Sequence, residues 1–368
     1  MKILLLTDEM LPGGVPKHVV DLANGLHEKN IFVTVASTDG QYKDKLHPDI
    51  PFVQLHLLQS NSYKKNYFGL LPSMLRLNAM ISRYNIDIIH THKRFSDVIG
   101  RLLAIKNNIY HVSTCHNYFD DNKILSLFGY TTIACSEIIQ QNLQQRYLCE
   151  SVKIVYNGIR PLSYLSESEI RSVKKKYGIS PQHFVISSIG HLSPSKDRTT
   201  LLKAISILKD KDFFKNIVFL IVGEGEQFHV LQKLTRELDI VNSVRFLPSD
   251  TNIEEIINIS EFMVLSSVQE GLPLVLLEAA SVGKCHVATN VGGVSEFVKN
   301  NSTGILVEPK NSQALADGIE KLFLNPELIV QYGQNAKLLY SRQFTYDRFI
   351  DETLAVYSSV LCNTKIQK

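Results

Sequence analysis

Short apolar segments alternate with amphipathic segments along almost the whole chain. In the first half, strands are predicted at residues 2–7, 31–36, 52–57, 86–90, 110–114, 131–135 and 152–155, and helices at residues 15–29, 67–83, 95–106 and 136–147. The second half repeats the pattern, with strands predicted at residues 183–190, 216–222, 243–247, 261–265, 285–288 and 304–307. This alternation is typical of parallel sheets covered by helices, so it predicts an α/β fold.

A chain of 368 residues is too long for one ordinary hydrophobic core, so two domains are expected. A polar, helix-prone segment around residues 163–178 separates the two repeats. We predict a Rossmann-like N-terminal domain at residues 1–160, joined by a C-terminal crossover helix at about 346–362, and a Rossmann-like C-terminal domain at 161–345. Ligands of doubly wound sheets bind beyond the carboxyl ends of the strands, so the site is expected in a cleft that both domains face.

The charge balance argues against some functions. A formal net charge of +3 does not indicate a nucleic-acid partner. Residues 1–165 carry 17 Lys and Arg against 13 Asp and Glu, an excess that suits either an anionic membrane surface or an ordinary solvated surface. Five cysteines without metal-type spacing, and no apolar run of membrane-spanning length, predict a cytoplasmic protein whose membrane contact is at most peripheral.

Two carboxylates stand eight positions apart in the segment Glu270-Gly-Leu-Pro-Leu-Val-Leu-Leu-Glu278. Pro273 is predicted as the first helical residue, because its φ is already helical and its missing N–H needs no partner there. The N–H groups of Leu274 and Val275 would then point out of the helix N-terminus, where an anion is favoured. A carboxylate beside an anion site makes sense if the anion is a phosphate and Glu270 binds the hydroxyls of the attached sugar.

Two further loops carry residues that suit a phosphate ligand. Gly13-Gly14 follows the first strand and precedes a helix predicted to begin near residues 15–16, so it indicates either close backbone approach to a ligand or a plain tight turn. The loop after the strand at 183–190 carries His191, Lys196 and Arg198, which could neutralise a diphosphate or could form an ordinary solvated loop.

A metal site is not expected from the histidines. His90, His92 and His116 each follow a strand of the first half, but their spacing matches no metal motif. His116 is the best placed to bind a sugar or a phosphate, whereas His90 is interpreted as structural. Asp210-Lys-Asp212 has the form of a metal–diphosphate motif, yet it lies between a helix and a strand, at the end opposite the ligand loops, and is interpreted as a solvated turn.

Five segments taken together resemble a known family. They are the Gly13-Gly14 loop, Tyr156-Asn-Gly-Ile159, the segment from Gly190 to Lys196, Glu270-Gly-Leu-Pro-Leu-Val-Leu-Leu-Glu278-Ala and Val291-Gly-Gly-Val-Ser-Glu296. In this order they resemble the retaining GT-B glycosyltransferases of glycosyltransferase family 4, also described as glycosyl transferases group 1. The resemblance covers most of the chain and is most specific over residues 185–307.

The resemblance implies an enzyme that transfers a sugar from a nucleotide-diphosphate sugar, with UDP favoured, to a glycan or lipid-linked acceptor with retention of configuration. It implies neither a metal nor another cofactor. The catalytic residues it implies are Glu270, His116 and Lys196. The donor-binding residues it implies are Gly13, Gly14, His191, Lys196, Arg198, Glu270, Leu274, Val275 and Glu278.

The roles follow the same resemblance. Glu270 is expected to contact the donor sugar and Glu278 the ribose, while Lys196 and the start of the following helix would bind the diphosphate. Gly14 would lie against the phosphates, and His116 would lie near the transferred sugar.

One position departs from the family pattern, which usually has Arg where this chain has His191. Either Arg198 compensates, or His191 serves as a neutral donor, or catalysis is weak. If His191 must be protonated, activity should fall at alkaline pH.

Three other functions stay open. A nucleotide-sugar epimerase shares the two-domain architecture, although the two glutamates argue against it. A nicotinamide-dependent oxidoreductase is disfavoured because Val222-Gly-Glu-Gly is followed by Phe228, where a dinucleotide fingerprint has its third glycine. A catalytically impaired partner subunit is the third, motivated by His191.

Overall fold

The computed structural model describes residues 1–55, 70–118, 128–147, 149 and 151–363. The chain divides into two compact units, which we call the first unit (Met1–Gly158 with Tyr346–Lys368) and the second unit (Ile159–Thr345). Each contains a parallel sheet covered by helices, so the predicted doubly wound α/β architecture is confirmed. None of the helices in the described ranges is long and apolar enough to cross a membrane.

The first unit has seven strands among its described residues. They are β1 (Lys2–Leu6), β2 (Phe32–Ser37), β3 (Phe52–Gln54), β4 (Ile88–Thr91), β5 (Tyr110–Cys115), β6 (Thr131–Ala134) and β7 (Val152–Ile154). Its helices are α1 (Gly14–Glu28), α2 (Leu70–Tyr84), α3 (Arg94–Asn107), α4 (Glu137–Arg146) and α13 (Tyr346–Asn363). The strands run parallel in the order β3-β2-β1-β4-β5-β6-β7.

The first strand shows why this sheet is buried on both faces. Successive side chains of a strand point to opposite faces, and all of Ile3 to Leu6 are fully buried. Ile3 and Leu5 pack on the face that also holds residues of α1 and α13, whereas Leu4 and Leu6 pack on the face that holds residues of α2 and α3. A continuous apolar run is therefore required here, in place of an alternating one.

The second unit has six strands among its described residues. They are β8 (Phe184–Ile189), β9 (Ile217–Val222), β10 (Val244–Leu247), β11 (Phe262–Leu265), β12 (His286–Thr289) and β13 (Gly304–Val307). Its helices are α5 (Glu167–Lys176), α6 (Arg198–Leu208), α7 (Phe228–Glu237), α8 (Ile253–Ile259), α9 (Leu274–Ser281), α10 (Val294–Phe297), α11 (Ser312–Leu324) and α12 (Pro326–Gln343). The strands run parallel in the order β10-β9-β8-β11-β12-β13.

The strand orders fix where each unit can bind a ligand. In the first unit, β1 lies between β2 and β4, and in the second unit β8 lies between β9 and β11. The chain leaves the two central strands of each sheet in opposite directions, which opens a crevice beyond their carboxyl ends. The loops that follow β1 and β4, and those that follow β8 and β11, therefore border these two switch points.

The helix-prone segment around 163–178 forms α5 and belongs to the second unit. Ser166 caps its N-terminus by accepting a hydrogen bond from the Glu169 amide, and the Glu169 side chain accepts one from the Ser166 amide. This reciprocal pair is a capping box, so the helix has a start signal of its own.

Candidate active site

The switch point of the second unit brings two sequence-predicted residues together. Lys196 lies at the end of the loop after β8, and Glu270 lies in the loop after β11. The Lys196 Nζ donates a hydrogen bond to Glu270 Oε1 at 2.5 Å. Because the loops after two adjacent parallel strands leave the same edge of the sheet, residues 74 positions apart in sequence form an ion pair.

Glu270 is held in place from several sides. Its side chain is only 6% exposed, and the Ser267 hydroxyl donates a second hydrogen bond to the same Oε1 at 2.6 Å. The Ser266 hydroxyl donates to the Lys196 carbonyl at 2.9 Å, which ties the two loops together. A buried carboxylate with an ammonium and a hydroxyl as donors is satisfied, so it keeps one orientation.

A glycine after β12 packs directly on the Glu270 backbone. Gly292 has φ +52°, and a Cβ built there would lie 1.8 Å from the Glu270 carbonyl oxygen. The Gly293 amide donates a hydrogen bond to the Gly271 carbonyl at 2.7 Å. The Gly-Gly pair of the Val291–Glu296 segment is thus explained by close contact between two loops of this site.

Helix α9 begins one residue later than predicted. Pro273 is its N-cap with ψ 125°, so the prediction of Pro273 as the first helical residue is wrong, and Leu274 takes that position. The extended ψ of Pro273 turns the chain into the helix from the Glu270 loop. Among the described residues the amides of Leu274 and Val275 donate no hydrogen bond, so both N–H groups stay available at a helix N-terminus.

Glu278 lies inside α9, four residues after its first residue, and is 4% exposed. The eight-residue spacing therefore places one carboxylate before the helix and the other within it. This arrangement was predicted from the sequence.

The Val222-Gly-Glu-Gly segment, at the end of β9, packs against the loop after β8. A Cβ on Gly223, which has φ +145°, would lie 2.1 Å from the Gly190 carbonyl oxygen. The Leu192 amide donates to the Glu224 carbonyl at 2.8 Å. These contacts make the segment a tight strand end that packs against the loop after β8.

The two basic candidates beside Lys196 differ sharply in environment. The His191 side chain is 50% exposed, and its Nδ1 lies 3.9 Å from Glu226 Oε2. Arg198 is the first residue of α6 and is 0% exposed, with Nε, Nη1 and Nη2 lacking a hydrogen-bond partner among the described residues. Desolvation lowers the pKa of Arg198 to about 10, against the opposing influence of Glu270 and Asp197. Its charge therefore acts on the site from inside the protein.

In the first unit, α1 begins at Gly14, one residue before the predicted start, and Gly13 is its N-cap. A Cβ built on Gly14 would meet no atom within 4 Å. The packing of this unit therefore does not explain why position 14 lacks a side chain, and the space beside it is open to a ligand.

Two of the three histidines predicted near the first switch point, His92 and His116, lie close together, and His18 joins them in place of His90. His90 is structural, as predicted, because its Nδ1 contacts the Tyr357 hydroxyl at 2.6 Å and its Nε2 contacts the Thr114 hydroxyl at 2.7 Å. His116 Nε2 lies 3.3 Å from His92 Nδ1. His18, from α1, completes the group, with its ring centroid 4.5 Å from that of His116.

His18 was not among the site residues predicted from the sequence. The available signal was its position, four residues after Gly14 in the first turns of a helix that starts beside β1. Desolvation is the largest cause that lowers the pKa of His18, to about 4, and it also holds the pKa values of His92 and His116 well below 6.5. The three rings are therefore neutral at physiological pH.

The Asp210-Lys-Asp212 segment forms an exposed turn, as interpreted from the sequence, and Lys211 pairs with Glu320 at 2.8 Å. The end of the strand predicted at 52–57 and the start of the helix predicted at 67–83, residues 56–57 and 67–69, lie outside the described residues.

Comparison with known families identifies the class of this protein. The model of Glycosyltransferase Family 4 matches residues 12–161, and the model of glycosyl transferases group 1 matches residues 169–339. The first range falls almost wholly in the first unit and the second range in the second unit. The chain is therefore a glycosyltransferase of the GT-B type, with a Glycosyltransferase Family 4 region followed by a glycosyl transferases group 1 region.

Individual relatives agree with this assignment. The chain is 26% identical to N-acetyl-alpha-D-glucosaminyl L-malate synthase of Bacillus anthracis, over 88% of this chain and 87% of the relative. It is 22% identical to UDP-Gal:alpha-D-GlcNAc-diphosphoundecaprenol alpha-1,3-galactosyltransferase of Escherichia coli, over 80% of each. The crystal structure of Anabaena HepE in complex with UDP-glucose is similar with a TM-score of 0.86 and 24% identity, over 98% of this chain and 100% of HepE.

Proposed function

We propose that this glycosyltransferase transfers a hexosyl group from a UDP-sugar, with retention of configuration and without a metal, to a hydroxyl of a glycan or lipid-linked acceptor. The observation that carries the proposal is the ion pair between Lys196 and Glu270, four residues before the free amides at the start of α9. It joins a fixed cation, a fixed carboxylate and a helix N-terminus in one unit.

The leaving group explains the need for the cation and the helix. Departure of a nucleoside diphosphate leaves additional negative charge on the β-phosphate. Lys196 and the amides of Leu274 and Val275 would bind that charge more strongly as it develops, which lowers the barrier. Lys196 and the two amides would thus stabilise the leaving diphosphate, as a divalent metal does in other transferases. The buried Arg198 would add positive electrostatic potential at the same loop.

The ammonium has enough donors for both partners. Lys196 has three N–H protons and gives one to Glu270, which leaves two for a phosphate oxygen. Glu270 Oε1 already accepts from Lys196 and Ser267, so Oε2 is the natural acceptor for a sugar hydroxyl. Glu270 therefore orients the lysine and the donor sugar at the same time.

The remaining roles are carried from the family resemblance. Glu278 would bind the ribose, and His191 a phosphate. In the first unit, the open space beside Gly14 would admit the phosphates, and His116 would contact the transferred sugar. Retention of configuration also rests on the resemblance.

The relatives guide the choice of substrates. HepE was crystallised with UDP-glucose, which supports a UDP-sugar as the first donor to test. The Escherichia coli relative is named for a diphosphoundecaprenol acceptor, which supports a lipid-linked acceptor. The excess of basic residues within 1–165 would favour peripheral contact with an anionic membrane from the cytoplasm, where nucleotide sugars are made.

A donor panel tests the proposal. UDP- and GDP-sugars are incubated with the full chain, and nucleoside diphosphate release is measured with and without undecaprenyl-diphosphate sugars and short glycans. Release that an acceptor stimulates, with a product whose anomeric configuration by NMR equals that of the donor, supports the proposal. An inverted product overturns retention, and donor isomerised without release indicates the epimerase. Binding without turnover for every pair indicates an impaired subunit.

A further inference from the structure

One contact in the first unit joins two histidine rings edge to edge. Nδ1 of His92, which follows β4, lies 3.3 Å from Nε2 of His116, which follows β5. The ring planes differ by 28°, and the ring centroids are 5.6 Å apart. The centroid separation exceeds the nitrogen separation by the two centroid-to-nitrogen distances within the rings, so both nitrogens lie on the line that joins the centroids. This is the arrangement of a long, in-plane N–H···N hydrogen bond.

The hydrogen bond between these rings needs one proton, and two placements of it are possible. Desolvation is the largest cause that holds the pKa values of His92 and His116 well below 6.5, so each ring is neutral and carries a single proton. The shared proton belongs either to His92 Nδ1 or to His116 Nε2. The environment of the second nitrogen in each ring decides between the two placements.

The second nitrogen of His92 has no acceptor for a proton. Nε2 of His92 is buried and lacks a hydrogen-bond partner among the described residues. His90, whose ring centroid lies 4.2 Å from that of His92, already uses both of its nitrogens, with Tyr357 and Thr114. Because a buried N–H without an acceptor is costly and rare in folded proteins, the proton of His92 belongs on Nδ1, where His116 Nε2 accepts it.

The neighbouring His18 does not compete with His92 as a donor. His18 Nδ1 lies 3.0 Å from Asn157 Oδ1, and an amide oxygen only accepts, so Nδ1 carries the proton of this ring. The His18 ring lies edge-on to His116, with centroids 4.5 Å apart, and its Nε2 has no proton to donate. Of the two histidines beside His116, His92 is therefore the donor.

The second nitrogen of His116 is the one that a ligand can reach. His116 is only partly buried, and its Nδ1 has no hydrogen-bond partner within the described ranges. Unlike Nε2 of His92, this nitrogen is not fully buried. Since Nε2 of His116 accepts from His92, Nδ1 carries the proton, and the ring offers a ligand one N–H donor and no acceptor.

We propose that His92 is a positioning residue that fixes His116 in the tautomer whose Nδ1–H donates a hydrogen bond to an oxygen of the transferred sugar. The identity of the ligand rests on the proposed function, whereas the tautomer follows from contacts within the first unit alone. Free neutral imidazole side chains in water favour the proton on Nε2, so His92 holds His116 in the less common state.

Nitrogen NMR of the full chain with nitrogen-15-labelled histidine tests the tautomer without a substrate. His116→Gln identifies the His116 signals by their loss. At pH 7.5 we expect Nδ1 of wild-type His116 to have the chemical shift of a protonated nitrogen and Nε2 that of an unprotonated one, and we expect the proton to return to Nε2 in His92→Phe. A proton on Nε2 of His116 in the wild-type chain overturns the proposal.

A matched pair of substitutions separates hydrogen bonding from packing. His92→Phe keeps a ring but removes the donor, whereas His92→Asn removes the ring but places an amide N–H near the position of Nδ1. With the best donor of the panel, kcat/KM should fall by about tenfold in His92→Phe and stay within about threefold of wild type in His92→Asn. Both variants should bind UDP, which lacks the transferred sugar, as wild type does.

The opposite ranking also has a clear meaning. Activity that His92→Phe keeps and His92→Asn loses, with both variants folded by circular dichroism, shows that His92 acts by packing and overturns the proposal. If the variants do not fold, the tautomer of wild-type His116 decides. Absence of turnover in the wild-type chain with every donor contradicts the proposed function instead, and the NMR measurement still tests the role of His92.

Discussion

In both units the candidate site residues lie beside a switch point. The second unit has charged groups there, whereas the first unit has histidines that burial keeps neutral. Lys196 and Glu270 satisfy each other by an ion pair. His18, His92 and His116 have lowered pKa values, with desolvation as the largest cause. The same parallel topology therefore places two chemically different sets of side chains at the two switch points.

The difference follows from the ligand that each edge is suited to bind. A diphosphate carries its own negative charge, so a preset ammonium and a helix N-terminus stabilise it without rearrangement. A neutral imidazole group cannot do this, but it can accept hydrogen bonds from sugar hydroxyls and donate hydrogen bonds to them.

The largest effect is expected at the two glutamates of the second unit. Glu270→Ala and Glu278→Ala should each lower the rate of nucleoside diphosphate release by about 100-fold or more while the protein stays folded. Glu327→Ala, an exposed carboxylate of the same unit, is the control. The measurement is the release rate with the best donor, together with thermal unfolding. Wild-type release rates in both glutamate variants would show that Glu270 and Glu278 do not bind the donor.

A buried neutral histidine at the opposite end of the second sheet should affect stability and not activity. His286 is the first residue of β12, and desolvation lowers its pKa to about 3. Because the unfolded chain takes up a proton below pH 6.5 and the folded chain does not, this residue costs about 1.4 kcal/mol of stability for each pH unit from 6.5 down to 3.

Replacing that histidine should remove part of the acid sensitivity. His286→Phe should gain stability relative to wild type as the pH falls from 7 to 4.5, by up to about 3 kcal/mol, with little change in activity at pH 7.5. Denaturant unfolding at the two pH values measures the difference. An equal difference at both pH values would show that the proton linkage is absent.

At the first switch point, Gly14→Ala tests whether the open space belongs to a ligand. A Cβ at this position meets no protein atom within 4 Å, so stability should stay within about 1 kcal/mol or rise. Donor turnover should fall by about tenfold because the methyl group occupies the approach to the backbone. Unchanged kcat/KM would mean that the phosphates do not lie against this residue.

The smallest effect is expected at His191, whose side chain is half exposed while Arg198 supplies a buried charge nearby. His191→Gln should change kcat/KM by no more than about threefold, and the wild-type rate should be flat between pH 6 and 8. A rate that falls as the pH rises, and that becomes flat in His191→Gln, would show that a protonated His191 is required.

The sequence predicted the fold well because parallel sheets need buried strands that are apolar on both faces. The strand predicted at 183–190 is Phe184–Ile189, and the one predicted at 304–307 is Gly304–Val307. The sequence also predicted that Glu270 lies before an apolar helix and Glu278 within it, since a proline marks the start of that helix.

The remaining features depend on packing that a sequence pattern does not reveal. The contact between Lys196 and Glu270 depends on the adjacency of β8 and β11, which is a property of strand order. Arg198 belongs to a segment whose composition is typical of an exposed basic loop, but its side chain is buried at the start of α6. His18 was overlooked because the periodicity of an amphipathic helix does not distinguish a site histidine from a core residue, and its position near the start of α1 was the only signal.

We propose that Lys196 is the fixed cation for the donor diphosphate. Calorimetric titration with UDP compares wild type with Lys196→Met and with Lys203→Met, an exposed lysine in α6. We expect Lys196→Met to weaken UDP binding by about 10- to 100-fold, because a charged hydrogen bond is lost, and Lys203→Met to bind UDP as wild type does. Equal UDP affinity in wild type and Lys196→Met would contradict it.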